Sequence, residues 1–403
     1  MNVYFRDKTE ISFMQIIEVN NKATSNEFLK VNVILNQSNP FYIQPLDKDI
    51  NEIFDAAKNK SHKYGETKRW ILKDKSGNLI GRIAAFVHNK YINKGTEYAT
   101  GGCGFFECIN NQAAANILFD IAKNWLQSNG MQAMDGPINF GDRDKWWGLL
   151  VEGFEDEPVY GMPFNPPYYE VLFENYGFKN YYNQYWYKMI VDEVLPPRFQ
   201  ERFAKFSAKP GYEARHLKLN ELEKYAQDFA TVYNAAWAQH GEAKEITQEQ
   251  VLKLFKTMKP IMDERVVWFA YYKDEPIAMF INIPDVNQYF KHFGGKLHLI
   301  NKLRLLWMKK TGQCKKLTGL AFGVVPKYQA LGIDSFLIQA CGNLIQFKGW
   351  YHNYEMGWSG DWNPRMINIY KSLGGVQNRR MVTYRYIFDT EIEFERHPVM
   401  EYK

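Results

Sequence analysis

The 403-residue chain lacks several features that would place it in particular protein classes. It has only four cysteines, Cys103, Cys108, Cys314 and Cys341, with no CxxC pair and no histidine at zinc-ligand spacing. This argues against a disulfide-stapled domain, and it predicts reduced, buried thiols and no metal. The N-terminus shows no basic segment followed by an apolar one, and no apolar run approaches the ~20 residues that span a bilayer. We therefore expect a cytoplasmic protein without a transmembrane segment.

An excess of one charge is also missing. Fifty Lys and Arg stand against 45 Asp and Glu, and the net charge of +5 is too small to indicate nucleic acid by itself. From the composition we expect no nucleic-acid partner. The sequence gives no indication of the oligomeric state. What the chain does have is 46% hydrophobic and 16% aromatic residues, enough for two globular cores.

The chain repeats itself at an offset of 197 residues. Two apolar hairpins and two helices that end near a glycine pair at this offset, namely 70–87 with 267–283 and 169–178 with 366–375. Between the copies, the paired prolines of Val194–Arg198 predict a stiff, non-helical linker. The sequence therefore predicts a first domain over 1–193, a linker over 194–210, a second domain over 211–390 and a C-terminal tail over 391–403.

Each half alternates strands with helices, which predicts an α/β, or α+β, layered domain. The 113–126 and 335–345 segments have apolar residues at helical spacing, Ile117, Ile121 and Trp125 in the first and Leu337, Cys341 and Ile345 in the second.

The most specific stretch is LAFGVVPKYQALGIDSFL, from Leu320 to Leu337. A strand enters a short loop, and a helix begins near Asp334 or Ser335. Exposed amides and the positive end of the helix dipole suit a pyrophosphate, and Gly332 lets the backbone approach it closely. The predicted site comprises Val324, Val325, Gln329, Ala330, Leu331, Gly332, Ile333, Asp334 and Ser335.

This stretch resembles the acyl-CoA loop of the GNAT superfamily, which runs Gln or Arg, two residues, Gly, one residue, then Gly or Ala. Gln329 and Gly332 match, whereas Asp334 replaces the final small residue and either caps the helix or disfavours CoA. The second family signature follows in order, with Asn363 before a helix that contains Tyr370 and ends before Gly374.

The resemblance implies two tandem GNAT-like domains, each a mixed, mostly antiparallel sheet flanked by helices. It implies acetyl-CoA or another acyl-CoA as donor, held also by Asn363, with no metal. It further implies that Tyr370 protonates the departing thiolate. Glu355 is the first candidate for the general base, with Asp361 and His240 as alternatives.

The first copy has no glycine in its equivalent loop, and Phe173 stands where Tyr370 does. We expect this copy to be non-catalytic and to shape the acceptor side of a cleft. Its insertion from Asp135 to Tyr169 is rich in Gly, Pro and aromatics, and predicts an acceptor pocket. The pocket candidates are Asn139, Asp142, Arg143, Trp146, Trp147, Asn165 and Tyr168.

The segment from Lys296 to Lys316 mixes apolar and basic residues and predicts an amphipathic helix. We expect its apolar face to pack on a core, with an anionic membrane or an anionic substrate as alternatives.

Three functions fit the sequence. The first is an N-acyltransferase moving an acyl group from acyl-CoA to an amine, amino acid or peptide between the domains. The second is an aminoacyl-tRNA-dependent transferase, and the third a non-catalytic ligand-binding protein on the same scaffold.

Overall fold

The computed structural model describes residues 3–5, 14–90, 98–141, 143–237 and 245–399. Its first half contains β1 Val3–Phe5, β2 Met14–Glu18, α1 Lys22–Asn36, α2 Asp47–Ile53, β3 Gly65–Lys73, β4 Leu79–His88, β5 Thr100–Cys108, α3 Gln112–Ser128, β6 Ala133–Gly136, β7 Leu149–Glu152, α4 Tyr169–Tyr176 and β8 Lys179–Ile190. The second half contains α5 Pro197–Ser207, β9 Tyr212–His216, α6 Leu222–Trp237, α7 Gln248–Met258, β10 Val267–Tyr272, β11 Glu275–Pro284, α8 Asn287–Phe290, α9 Leu299–Lys310, β12 Lys316–Val324, α10 Ile333–Ile345, β13 Asn353–Gly360, α11 Pro364–Ser372 and β14 Val376–Ile387.

The strands of the described residues form one mixed sheet. Its order is β1-β2-β3-β4-β5-β6-β14-β8-β13-β12-β11-β10-β9, and β7 pairs with β14 beside this path. Neighbours are antiparallel except for β5 with β6 and β12 with β13. The predicted class is confirmed, although the sheets of the two copies join into one rather than standing apart.

The predicted repeat is visible in the positions of the helices and strands along the chain. The hairpins β3–β4 and β10–β11 occupy the paired apolar segments, and β8 and β14 span identical lengths at the offset of 197. Gly177 and Gly374, at the same offset, both follow a helix with positive φ, 109° and 86°. Glycine adopts this left-handed conformation without a Cβ clash, and it reverses the chain from helix to strand.

The two halves exchange their last strands. β8 follows the first-half helix α4 but pairs with β13 of the second half, whereas β14 pairs with β6 of the first half. The two exchanged strands pair with each other in antiparallel fashion at the centre of the sheet. Four strand pairs therefore cross the predicted domain boundary, namely β8 with β13 and β14 with β6, β7 and β8.

The segment predicted as a non-helical linker is largely helix α5. Pro197 lies at the first helical position, where its missing N–H costs nothing and its fixed φ favours the helix. Phe199 and Phe206 are buried against the second core, so that α5 packs on α10. The paired prolines start a helix here rather than blocking one.

Helices cover both faces of the sheet in each half. In the second half, α5, α10 and α11 pack on one face around Phe336 and Tyr370, and α6 and α7 pack on the other around Phe229 and Phe269. All four cysteines are buried and free, as expected. Among the described residues, no helix combines the length and apolarity needed to traverse a bilayer.

Candidate active site

A gap opens between β12 and β13 in the second half. The two strands pair only at residues 316–318 with 353–355, after which β12 continues to Val324 paired with β11 alone. β13 is paired with β8 on its other side, and it bulges after Glu355, with Gly357 at φ 77°, before that pairing resumes at Trp358. One edge of β12 beyond Thr318 therefore carries backbone N–H and C=O groups that no strand in the described ranges pairs. Such an edge can accept an extended ligand by strand-like hydrogen bonds.

The predicted anion loop lies at the far end of β12. Residues 326–328 form a 3₁₀ turn, and Gly332, at φ 92°, is the N-cap of α10. Phe336 donates the first helical bond, so the amides of residues 333–335 have no carbonyl within the helix. No side chain in the described part of the chain caps this helix. A helix N-terminus with such unpaired amides is able to bind a phosphate.

Two side chains of the loop differ from expectation. Asp334 lies in the first turn of α10 and does not cap it, so the capping role proposed for its carboxylate is wrong. Gln329 turns its Nε2 back to donate to the carbonyl of Val324 at 3.0 Å, and thereby closes the loop on the end of β12. The backbone, rather than these side chains, presents the donors.

Arg202 of α5 lies over the loop, a position that the sequence did not indicate. A methyl group built on Gly332 would come within 2.8 Å of Arg202 Cδ and 3.0 Å of its Nε. A cation at the positive end of a helix is electrostatically unfavourable by itself. An anion between the guanidinium and the amides of α10 relieves that repulsion. The sequence does contain two arginines at i, i+4 spacing, Arg198 and Arg202, which would share one face of a helix. They were overlooked because this segment was predicted to be a non-helical linker.

Two tyrosines approach the gap from α11 and β13. Tyr370 is 4% exposed, its ring centroid lies 5.4 Å from that of Tyr187, and no hydrogen bond of its hydroxyl is found within the described residues. The hydroxyl of Tyr354 lies 2.9 Å from the position of a Cβ on Gly319, at the point where the strands separate. Burial raises the pKa of both phenols above the usual value. The neighbouring Tyr370 raises the pKa of Tyr354 further, and Tyr187 does the same for Tyr370. Both therefore remain protonated at neutral pH.

An apolar cavity of about 50 Å³ extends from the gap beneath α10. Its walls include Met189, Leu195, Phe280, Leu317, Cys341 and Tyr354. Asn282 is a polar exception, because its Nδ2 donates to the carbonyl of Val266 at 3.0 Å while its Oδ1 has no partner among the described residues. An unmet buried acceptor is costly, so a donor on a bound molecule would be favoured here.

Glu355 does not face the gap. It neighbours Tyr354 on β13 and therefore points to the opposite face of the sheet. Its carboxylate is 2% exposed, lies 2.6 Å from Lys316 Nζ, and forms a second ion pair with Arg379. Burial lowers the pKa of Lys316 to about 8 and that of Arg379 to about 10. A carboxylate held by two cations is poorly placed as a general base, and the structure does not support this role.

The other predicted polar residues have structural partners. Asn363 caps α11 by accepting from the amide of Met366 at 3.2 Å. Asp361 accepts from Asn183 at 2.8 Å and pairs with Arg396 at 2.6 Å. His240 lies outside the described residues.

The predicted acceptor residues that the structure describes have partners within the protein. Arg143 and Trp147 both donate to the hydroxyl of Tyr182, at 3.0 and 2.8 Å. Asn165 pairs with the backbone of Leu150 in β7, and the Tyr168 hydroxyl donates to the carbonyl of Cys108.

The remaining members of this set lie elsewhere. Trp146 packs against Phe105 at the edge of a first-half core, with the ring planes tilted by 43°, and Asn139 accepts from the amide of Phe140. Asp142 is outside the described residues. The 135–169 segment is mostly loop, as predicted, but includes the short strand β7.

The first copy is closed where the second is open. The N-terminus of α3 is capped by Asn111, whose side chain accepts from the amide of Ala114 at 2.9 Å. Phe173, at the position of Tyr370, is fully buried among aromatic rings. Asn111 therefore takes up one of the first-turn amides, and the residue at the position of Tyr370 has no hydroxyl.

The element order, the parallel pair that separates and the uncapped helix behind it define a tandem GNAT fold. A tandem GNAT protein of the clavulanic acid biosynthesis pathway aligns over 93% of this chain and 99% of its own, with TM-score 0.55 and 10% identity. A GCN5-related N-acetyltransferase from Sphaerobacter thermophilus aligns over 95% and 98%, with TM-score 0.50 and 11% identity. At such identities these similarities show the fold. No family model matches the chain.

Two curated proteins are similar in sequence over most of their length. The bacterial ceramide synthase of Caulobacter vibrioides (strain NA1000 / CB15N) is 26% identical over 377 residues, which are 92% of this chain and 96% of that protein. Protein YghO of Escherichia coli (strain K12) is 24% identical over 372 residues, 90% of this chain and 93% of that protein.

Proposed function

We propose that the chain is an acyltransferase that moves an acyl group from acyl-CoA to an amine, with its donor site in the second copy. The observation on which this rests is the pairing of the uncapped N-terminus of α10 with the gap between β12 and β13. The first suits the pyrophosphate of CoA, and the second suits its extended pantetheine arm. The GNAT fold of the chain supports this donor.

The chemistry needs an acid and a route for one proton. The amine attacks the thioester carbon, the C–S bond breaks, and the thiolate takes a proton as it leaves. Tyr370 of α11 is our first candidate for this donor, and Tyr354 of β13 is our second. Their raised pKa values keep both in the protonated form that a general acid requires. Since Glu355 is engaged elsewhere, water is our candidate for removing the proton of the amine.

We further propose that the acyl group is a fatty chain whose first carbons enter the apolar cavity. At about 10–15 Å³ for a water-sized group, a 50 Å³ cavity has room for a few methylenes without any movement of the walls. An acetyl group would leave this space unfilled. The similarity to a protein named ceramide synthase favours the same choice, because a ceramide is an amide of a fatty acid with a long-chain amino alcohol.

The test is a series of acyl-CoA donors of increasing chain length, with release of the CoA thiol as readout. The buried cysteines of the protein keep the background of a thiol reagent low. We expect binding of every CoA ester and faster transfer of fatty than of acetyl groups to a long-chain amino alcohol.

A cavity variant makes the test sharper. Gly342 lines the cavity, and a Cβ on it would lie 3.2 Å from Gln346 Oε1 and 3.6 Å from Leu195 Cδ1. Gly342→Leu should therefore fill the space and shift the preference toward short donors. Failure of any CoA ester to bind contradicts the donor site. Binding without turnover on any amine instead favours a non-catalytic scaffold, and an unchanged chain-length profile in Gly342→Leu rejects the cavity as the acyl site.

A further inference from the structure

Helix α9 turns most of its apolar side chains outward. The expectation that its apolar face packs on a core holds only for Leu305 and Met308, which are buried. Five large apolar residues on the same helix are 51–71% exposed, namely Leu299, Ile300, Leu303, Leu306 and Trp307. We call these five the α9 apolar face. Single exposed apolar residues are ordinary, but a contiguous group of this size marks an interaction surface.

The face is a single stripe bordered by positive charge. At 3.6 residues per turn, the five residues fall within an arc of about 120°. Exposed Lys302 and Arg304 lie on the two borders of this arc, and exposed Lys310 lies at its C-terminal end.

The orientation of the helix is held by contacts on its other side. Leu305 and Met308 pack in a cluster with Phe290 and Phe293. Asn301 donates to the carbonyl of Lys296 at 2.7 Å and to that of Phe293 at 3.4 Å. The apolar face therefore points outward as a consequence of packing rather than of fraying at an end.

The charge of the surrounding segment selects the partner. Residues 296–316 contain seven Lys or Arg and no Asp or Glu. An apolar stripe edged with cations is complementary to an anionic lipid surface, where the apolar side chains enter the acyl boundary and the cations meet phosphate groups. Trp307 has the amphipathic ring typical of that boundary.

We propose that α9 docks the protein on the surface of an anionic lipid bilayer. The helix lies in the interface plane and does not cross it, since its 12 residues span only about 18 Å. The chain segment that contains α9 connects β11, which ends at Pro284, to β12, which begins at Lys316. Asn282 and Leu317, near these two strand ends, line the apolar cavity. The inference goes beyond acyl transfer and does not depend on it.

The experiment is co-sedimentation of the full chain with vesicles of phosphatidylcholine, with and without phosphatidylglycerol. We expect binding to the anionic vesicles that weakens as salt is raised. Each removed cation should weaken binding by about fivefold at low salt, as for a contribution of about 1 kcal/mol. Leu303→Gln should weaken it by about tenfold.

A second helix supplies a matched control. Leu254 and Lys256 of α7 are also exposed, and Leu254 is 46% exposed. We expect the double variant Lys302→Gln/Leu303→Gln to lose vesicle binding while Leu254→Gln/Lys256→Gln retains it. Both pairs lie on the surface, so thermal melting of each variant should match that of the wild type.

Depth of insertion is a direct readout. Because the four native cysteines are buried, Leu303→Cys can be labelled with an environment-sensitive fluorophore, with Leu254→Cys as the control. A blue shift on anionic vesicles for position 303 alone supports docking. The proposal is overturned if the wild type ignores anionic vesicles. It is equally overturned if Lys302→Gln/Leu303→Gln dissociates a dimer in sedimentation analysis while vesicle binding is unchanged, because a second copy would then cover the face. Neither result would bear on CoA binding.

Discussion

Removal of the Tyr370 hydroxyl is the most direct test of the proposed chemistry. The hydroxyl has no hydrogen-bond partner among the described residues, so Tyr370→Phe leaves no donor or acceptor of the protein unmet. The free energy of unfolding should change by less than about 0.5 kcal/mol. A lost general acid should nevertheless lower kcat by about 10²-fold or more, equivalent to about 2.7 kcal/mol in the barrier.

The pH dependence carries the same information with a definite sign. Burial raises the pKa of Tyr370, so the phenol is protonated and able to donate below that raised value, and loses the proton only above it. The alkaline limb of kcat should therefore lie above the pH near 10 at which an ordinary tyrosine titrates. Tyr370→Phe should remove that limb along with the rate.

The assay is steady-state release of the CoA thiol, accompanied by calorimetric binding of a non-reactive CoA thioether. Tyr187→Phe is the matched control, since its ring lies 5.4 Å from that of Tyr370 and is similarly buried. Tyr354→Phe tests the second phenol. The reasoning is refuted if Tyr370→Phe, Tyr354→Phe and their double variant all turn over at the wild-type rate with intact binding.

Three further predictions concern the anion loop, the buried charges and the exchanged strands. Arg202→Met should raise the Kd of CoA about tenfold but leave the Kd of pantetheine thioesters, which lack the pyrophosphate, unchanged. Lys205→Met is the control, and an equal loss of affinity for both ligands would count against a phosphate contact. Arg379→Met should lower the free energy of unfolding by about 3–5 kcal/mol, because it strips a cation from buried Glu355. The control Arg380→Met, which removes the partner of half-exposed Glu152, should lower the free energy of unfolding by at most about 1 kcal/mol in denaturant titration. Similar losses in the two variants would contradict the assignment of a buried ion pair to Arg379. Residues 1–193 expressed alone should aggregate, because β6 and β8 lose β14, whereas co-expression with 194–403 should restore a soluble complex in gel filtration.

Local patterns in the sequence were sufficient for many of the helices and strands and for the loop that precedes α10. Alternating apolar residues predict β3–β4 and β10–β11, and the strand–loop–glycine–helix pattern predicts the anion loop at Gly332. These depend on backbone preferences and neighbours a few residues apart. The offset of 197 likewise predicts the duplication, and it appears unchanged in β8 and β14.

Other features depend on contacts between residues distant in the chain, and only the tertiary structure decides them. Period-2 patterning makes β8 and β14 strands but cannot say which half each will join. Arg202 reaches Gly332 only because α5 packs on α10, across 130 residues of sequence. Glu355 is drawn into an ion pair with Arg379, and so leaves the gap to Tyr354.

Helix α9 shows the same division. Its composition predicts an amphipathic helix with a basic border, since the 3.6-residue period is a local property. Which side of that helix meets the core depends on Phe290 and Phe293 presenting their rings to Leu305 and Met308. Sequence alone therefore indicated the repeat, the loop before α10 and most helices and strands, with α5 as an exception. Burial and long-range pairing decided which side chains share the gap and which are left facing outward.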